Sequence, residues 1–143
     1  MKRLLFAVFL LFSCAAHASP EGLWQVIGDK SGLPEALVRI SVHEGLYEGE
    51  IVKLLPRPGI DPDALCESCP GKLKNRPVAG LTILTGMREE GEEYKGGEIL
   101  DPDSGETYHC SMKLSADGSR LLLRGYMLIP LFGRTETWIR EAP

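Results

Sequence analysis

The chain has little that points to catalysis, to a nucleic acid or to a membrane-spanning helix. Aromatic residues make up only 7% of its 143 residues, and histidine occurs three times. There is no basic run: sixteen Lys and Arg stand against twenty Asp and Glu, for a formal charge of −4. An acidic chain without a basic cluster lacks the electrostatic footprint of a nucleic-acid binder. The longest unbroken apolar run is Leu4 to Phe12, nine residues, against the roughly 20 that a spanning helix needs. Nucleophile-elbow, phosphate-loop and zinc-protease patterns are missing, and so are internal repeats, low-complexity tracts and any long helix-periodic stretch. The expectation is a protein that is not an enzyme and holds neither cofactor nor metal.

What is present begins with an export signal. Met1-Lys2-Arg3 is basic, the apolar run follows, and Ala16-His17-Ala18 is a small-x-small cleavage site, together a secretory signal peptide over residues 1–18. Cleavage after Ala18 implies a periplasmic or secreted protein of 143 − 18 = 125 residues, a single domain over 19–143. The removed part holds two basic residues and no acidic ones, so the remaining charge is 14 − 20 = −6. The alternative uses Leu11-Phe12-Ser13-Cys14 as a lipoprotein box with Cys14 acylated, although Phe12 is bulky for that motif.

From Glu21 onward, turn residues punctuate short β-favouring segments, the pattern of an all-β barrel or sandwich. The strands read as 22–27, 36–43, 46–53, 78–85, 94–99, 107–114, 120–127 and 134–140. A two-residue turn at Glu44-Gly45 sets Val42 opposite Tyr47, Ile40 opposite Gly49 and Val38 opposite Ile51, one apolar face, with Arg39 and Glu50 on the polar one. A turn at Asp117-Gly118 sets Leu114 opposite Leu121, Met112 opposite Leu123 and Cys110 opposite Gly125, again apolar. Arg124 with Ser111, and Tyr126 with His109, fall on the second face. Closing eight strands into an antiparallel barrel would make the first and last neighbours. Arg140 would then lie over Trp24, a cation–π contact of roughly 0.5–2 kcal/mol.

Between the third and fourth strands runs a proline-rich loop from Leu54 to Pro77, long enough that it must be pinned, functional or mobile. It carries Cys66-Glu67-Ser68-Cys69. In an exported protein the first reading is a local disulfide. A redox dithiol is the second, although Pro70-Gly71 follows where thioredoxin chemistry wants a helix. Half a zinc site is the third, since only Cys110, His43 and His109 remain as further ligands. Asp61-Pro62-Asp63 and Asp101 to Glu106 bunch carboxylates as tight turns do. Glu89, Glu90, Glu92 and Glu93 read as a solvated loop. Tyr126 to Phe132 is an apolar run broken by Pro130, expected to plug one barrel end, with contact to a partner or a membrane surface if it is exposed.

The series Gly22-x-Trp24, Cys66-x-x-Cys69, Lys74-Asn75-x-Pro77, Gly80-Leu81, Gly97-x-Ile99-Leu100-Asp101-Pro102, Gly105, Tyr108, Arg124-Gly125-Tyr126 and Gly133-Arg134-Thr135-x-Thr137-Trp138-x-Arg140 resembles a family of exported bacterial proteins, domain of unknown function 2147. That family in turn resembles the lipocalins and other calycins. The resemblance implies an eight-stranded up-and-down barrel, here without a C-terminal helix, and a small hydrophobic or amphipathic ligand. The alternative is an envelope interaction or stress-protection protein with a packed barrel. Gly49, Gly125, Cys110 and Val42 are small residues on the apolar faces, and their mixture with larger ones suggests a modest cavity. The expected ligand set is Val42, Tyr47, Cys110, Met112 and Leu123 from the two registers, with Arg124, Tyr126 and Trp138 as polar fixings. Gly22, Trp24 and Arg140 are expected to be structural.

Overall fold

The computed structural model describes residues 17–143. The basic start, the apolar run and Cys14, with the expectations attached to them, lie outside the described residues. Eight strands follow in order: β1 Gly22–Ile27, β2 Pro34–His43, β3 Leu46–Leu54, β4 Thr82–Glu90, β5 Glu93–Leu100, β6 Thr107–Leu114, β7 Arg120–Tyr126 and β8 Gly133–Arg140. Each pairs antiparallel with its sequence neighbours, and β8 returns to β1 through Trp24–Arg140, Gln25–Ile139 and Val26–Trp138, closing the barrel. Closure leaves no strand edge to be capped. Among the described residues the helical pieces are two 3-10 turns, Gly71–Leu73 and Pro130–Phe132.

Local chemistry explains the two hairpins. Glu44 and Gly45 both adopt positive φ, 51° and 77°, the requirement of a type I′ turn, and the β2–β3 register is the expected one from Val42–Tyr47 to Val38–Ile51. The β6–β7 register also holds, with Leu114–Leu121, Met112–Leu123 and Cys110–Gly125 opposed. Its turn is wider than the two residues expected. Ser115 N–H donates to Arg120 O at 2.9 Å and Gly118 N–H to Ser115 O at 2.9 Å, leaving a loop of residues 116–119. Opening one residue on each side preserves the facing pairs, so the apolar face survives. The Asp117 carboxylate accepts from the Ser115 and Ser119 hydroxyls and from Ser119 N–H, bonds that hold its pKa well below the usual carboxylate range.

The fourth strand differs from expectation. It starts at Thr82 and runs on to Glu90, with Glu89 opposite Tyr94 and Glu90 opposite Glu93. Only Gly91 and Glu92 are left to make the turn. Alternate positions on a barrel wall face water and accept charge, so a run of glutamates does not exclude a strand. Val78 and Leu81, read as strand for their apolarity, belong instead to the end of the long loop, where Leu81 N–H donates to Val78 O at 3.1 Å. Both are buried against the core.

The inward residues interlock. Trp24, Val38, Leu84, Met87, Leu121 and Trp138 are at most 1% exposed. The hollow expected at Gly49 is filled: a Cβ there would stand 3.0 Å from Leu84 Cβ and 3.2 Å from Val38 Cγ1; Gly97 is crowded likewise, since a Cβ there would overlap the Met87 sulfur and Thr85 O. Gly49 and Gly97 are therefore where large side chains from the neighbouring strands come to rest, which is how dense packing is reached.

Candidate functional site

The two ends of the barrel are built differently. At the hairpin end the Arg140 guanidinium lies 4.3 Å from the Trp24 ring centroid and donates to Gly118 O at 2.8 Å, Glu21 O at 2.8 Å and Ser19 O at 2.7 Å. Trp24 Nε1–H donates to Pro20 O at 2.8 Å. Gly22 has φ of +130°, and a Cβ there would come within 2.9 Å of Arg140 Nη1. The segment 19–21 is thus stapled across this end, and Gly22, Trp24 and Arg140 form one structural unit, as expected. Tyr47 and Tyr94 meet edge to face at 5.0 Å. Burial first, then Glu89, raises both phenols, Tyr94 to about 12. Two depressions open on this end, one of about 580 Å³ beside Ser19, Asp117 and Arg140, the other of about 470 Å³ between Leu46, Tyr47 and Arg88. Both are dents in the surface rather than an enclosed barrel cavity.

The opposite end collects the longer connections. The β3–β4 loop is pinned: Cys66 and Cys69 form a disulfide with Cα atoms 5.3 Å apart, Cys66 N–H donates to Arg76 O at 2.8 Å, and Asn75 N–H donates to Cys66 O at 2.8 Å. Cys66, Cys69, Val78 and Leu81 are buried. A Cβ on Gly105, in the β5–β6 loop, would overlap Ser68 O, so the two loops are in backbone contact. The half-zinc reading loses its partners: His109 faces outward on β6, His43 ends β2 at the hairpin end, and Cys110 lies inside the wall. Among the described residues no cluster of three metal-ligating side chains forms.

Of the expected ligand set, Cys110, Met112, Leu123 and Trp138 sit together inside the barrel, each buried, and Val42 and Tyr47 lie on the same inward face nearer the hairpin end, half-buried. Arg124 and Tyr126 do not join them. The alternation that turns Leu121, Leu123 and Gly125 inward turns these two outward, where Tyr126 lies 5.6 Å from His109. Arg124 donates to Pro130 O at 2.9 Å, Leu131 O at 3.2 Å and Thr135 Oγ1 at 3.0 Å. Its task here is to hold the β7–β8 loop.

That loop also departs from expectation. It does not plug the barrel: Leu128 is 87% exposed, Leu131 and Phe132 75%, Met127 58% and Ile129 47%. The physical reason is Arg124, which draws the loop carbonyls onto the outer wall and leaves the side chains facing solvent. Gly133 permits this, since a Cβ there would overlap Gly125 O on the paired strand and stand 3.0 Å from Tyr126 Cβ and 3.2 Å from Arg124 Nε. Leu33 and Leu65, on the two other loops of this end, are also exposed.

On the last strand alternation by itself leaves open whether Thr135, Thr137 and Ile139 or Arg134, Glu136, Trp138 and Arg140 face inward. Arg134 stands opposite Gly125, Glu136 opposite Leu123 and Trp138 opposite Leu121, so this set lies on the inward side of the strand, with Trp138 buried, Glu136 half-buried and Arg134 exposed at the rim. Arg134 bridges Glu136 at 2.8 Å and Asp29 at 3.2 Å, and Trp138 Nε1–H reaches Glu136 Oε2 at 3.4 Å. The Glu136 hydrogen bond is the main cause of a raised Arg134 pKa. Burial, with Glu136 second, pushes the free Cys110 thiol up to about 12. The signal was available: if Arg140 must turn inward to meet Trp24, then Trp138, Glu136 and Arg134 follow at steps of two. Around this pair the wall is looser. A Cβ on Gly125 would meet only Tyr108 Cβ at 3.8 Å and Ile99 Cγ2 at 4.0 Å, and Ile99, Tyr108 and Glu136 are half-buried.

A closed eight-stranded antiparallel barrel, stapled by tryptophan and arginine at one end and looped at the other, is a lipocalin-like architecture. The chain is similar to a solved structure described as "Protein HP1028 from the human pathogen Helicobacter pylori belongs to the lipocalin family", with a TM-score of 0.74 at 22% identity, over 88% of this chain and 85% of that one. At that identity the likeness speaks for the fold. Residues 22–140 match the family described as "Uncharacterized protein conserved in bacteria (DUF2147)", and the chain belongs to it. A search of curated proteins finds no match.

Proposed function

We propose that this is an exported bacterial lipocalin-like protein that binds a small hydrophobic or amphipathic molecule at the loop end of its barrel. The observation that carries this reading is the change in packing along the barrel axis. Toward the hairpin end the interior is filled by Trp24, Met87 and Met112, whereas at the loop end Ile99, Tyr108 and Gly125 leave slack beside the Arg134–Glu136 pair. An apolar body resting on Ile99 and Tyr108 with a polar head toward Arg134 or Glu136 suits such a site, because pockets combine apolar walls with a few placed polar groups. The filled interior favours a second reading, an envelope interaction protein that uses its loop end and carries nothing inside.

Titration with an apolar fluorescent probe separates the two. The unmodified protein should bind it, and Gly125→Leu should weaken binding at least about tenfold, some 1.4 kcal/mol, with little change in unfolding midpoint, since space exists for the new side chain. Failure of the unmodified protein to bind any such probe removes the ligand reading and leaves the interaction protein. The export component has its own measurement, the intact mass of protein taken from the cell envelope. A chain beginning at Ser19 supports it, and an acylated species beginning at Cys14 makes the protein a lipoprotein instead.

A further inference from the structure

We propose that the β7–β8 loop is a docking finger that seats the loop end of the barrel on a phospholipid bilayer by inserting Leu128, Leu131 and Phe132. This goes beyond ligand binding and holds whether or not a molecule occupies the barrel mouth.

Three observations favour a bilayer over a protein. The first is shape and size. The exposed apolar residues form a projecting tip six residues long, with Leu33 beside it on the loop that the Asp29–Arg134 ion pair ties to β8. A stable protein interface takes about 20–30 residues a side, far more than this tip offers, whereas an apolar tip is enough to enter the headgroup–acyl boundary. The second is partial backbone satisfaction, confined to the Pro130–Phe132 turn, which suits entry to the headgroup–acyl boundary and no deeper. In hydrocarbon an unpaired backbone polar group is prohibitive, and here Arg124 already holds the carbonyls of Pro130 and Leu131. Phe132 N–H donates to Ile129 O at 3.1 Å, and Pro130 has no N–H to satisfy. The third is charge. Residues 127–132 carry none, and the flanking charges are Arg124 and Arg134, the latter paired with Asp29 and Glu136, beside Tyr126. Cationic and aromatic groups at the base of an apolar segment belong at the headgroup level. The chain as a whole is acidic, so attraction to an anionic surface is not what drives docking, and insertion should be insensitive to salt.

The experiment uses protein purified from its native envelope and vesicles of phosphatidylcholine. Variants are the triple Leu128→Ser, Leu131→Ser, Phe132→Ser and the single Leu128→Trp, all at exposed positions. The near-ultraviolet signal of the buried Trp24 and Trp138 verifies the fold of each. The unmodified protein should cosediment with vesicles, and the triple variant should partition at least about a hundredfold more weakly, given what burying three large apolar side chains contributes. Indole emission of Leu128→Trp should shift to the blue on vesicle addition. A tenfold rise in salt should change partitioning less than about twofold, and adding phosphatidylglycerol should weaken it. Absence of cosedimentation overturns the proposal, as does undiminished cosedimentation of the triple variant, which would place the contact elsewhere, for instance on an acyl group at Cys14. Strong salt dependence with a gain on phosphatidylglycerol would replace insertion by surface electrostatics. Dimerisation abolished by the triple variant, without vesicle binding, would give the finger to a second copy of this chain.

Discussion

Replacing Arg140 by methionine tests how the barrel is closed. The guanidinium donates to three backbone carbonyls and covers the Trp24 ring. Hydrogen bonds to charged groups contribute about 1.5–3 kcal/mol when shielded, but Ser19 and Glu21 belong to a segment that water can reach, so about 1 kcal/mol each is the better figure there. With a similar amount for Gly118 O and about 1 kcal/mol for the ring contact, the loss comes to roughly 3–4 kcal/mol, a large share of the 5–15 kcal/mol typical of a domain. Urea unfolding followed by tryptophan emission measures it. Exchange of the Trp24 indole N–H, which is bound to Pro20 O, reports separately on release of segment 19–21. Arg140→Lys keeps the charge but reaches at most one carbonyl, and should recover less than half of the loss. A cost under about 1 kcal/mol, or full recovery by lysine, would refute the staple, because it would mean that a point charge or strand pairing alone closes the barrel.

Two further outcomes follow from packing and titration. Gly97→Ala should destabilise by about 1–3 kcal/mol, since its Cβ would overlap Met87 inside a filled barrel; an unchanged denaturation midpoint would mean that the interior is looser than described. Cys110 should resist thiol reagents at pH 8 until the chain unfolds, because burial holds its thiol up at about 12. In the unfolded chain that thiol ionises in its ordinary range, about 8.5, so the stability it contributes is fully present below that range and is lost as pH rises toward 12, on the order of 5 kcal/mol. Cys110→Ala should flatten this alkaline decline without abolishing it, because Tyr94 is raised in the same direction. A native protein that reacts readily at pH 8, or an alkaline limb unchanged in Cys110→Ala, would contradict the burial.

The hairpin registers were legible in the sequence because they are set by local rules: Glu44-Gly45 and the Ser115 to Arg120 segment fix which residues face each other, and alternation by two sorts the faces. Closure was legible from Trp24 and Arg140 for a related reason, since a barrel has to join its first strand to its last. Alternation does not say which of two faces is the inside where both carry large or polar residues. On β8 alternation alone leaves Thr135, Thr137 and Ile139 or the set Arg134, Glu136 and Trp138 as the inward face; the Arg140–Trp24 contact across the closure points to the second set, and pairing with β7 and β1 together settles it. The same pairing sent Arg124 and Tyr126 outward and freed Arg124 to hold the apolar loop away from the barrel mouth. Volume behaves likewise. Gly49 looks like a hollow in a list of residue sizes, but Leu84 and Val38 from the strands on either side enter the space, and whether a small residue leaves a cavity depends on what the closed sheet sets against it.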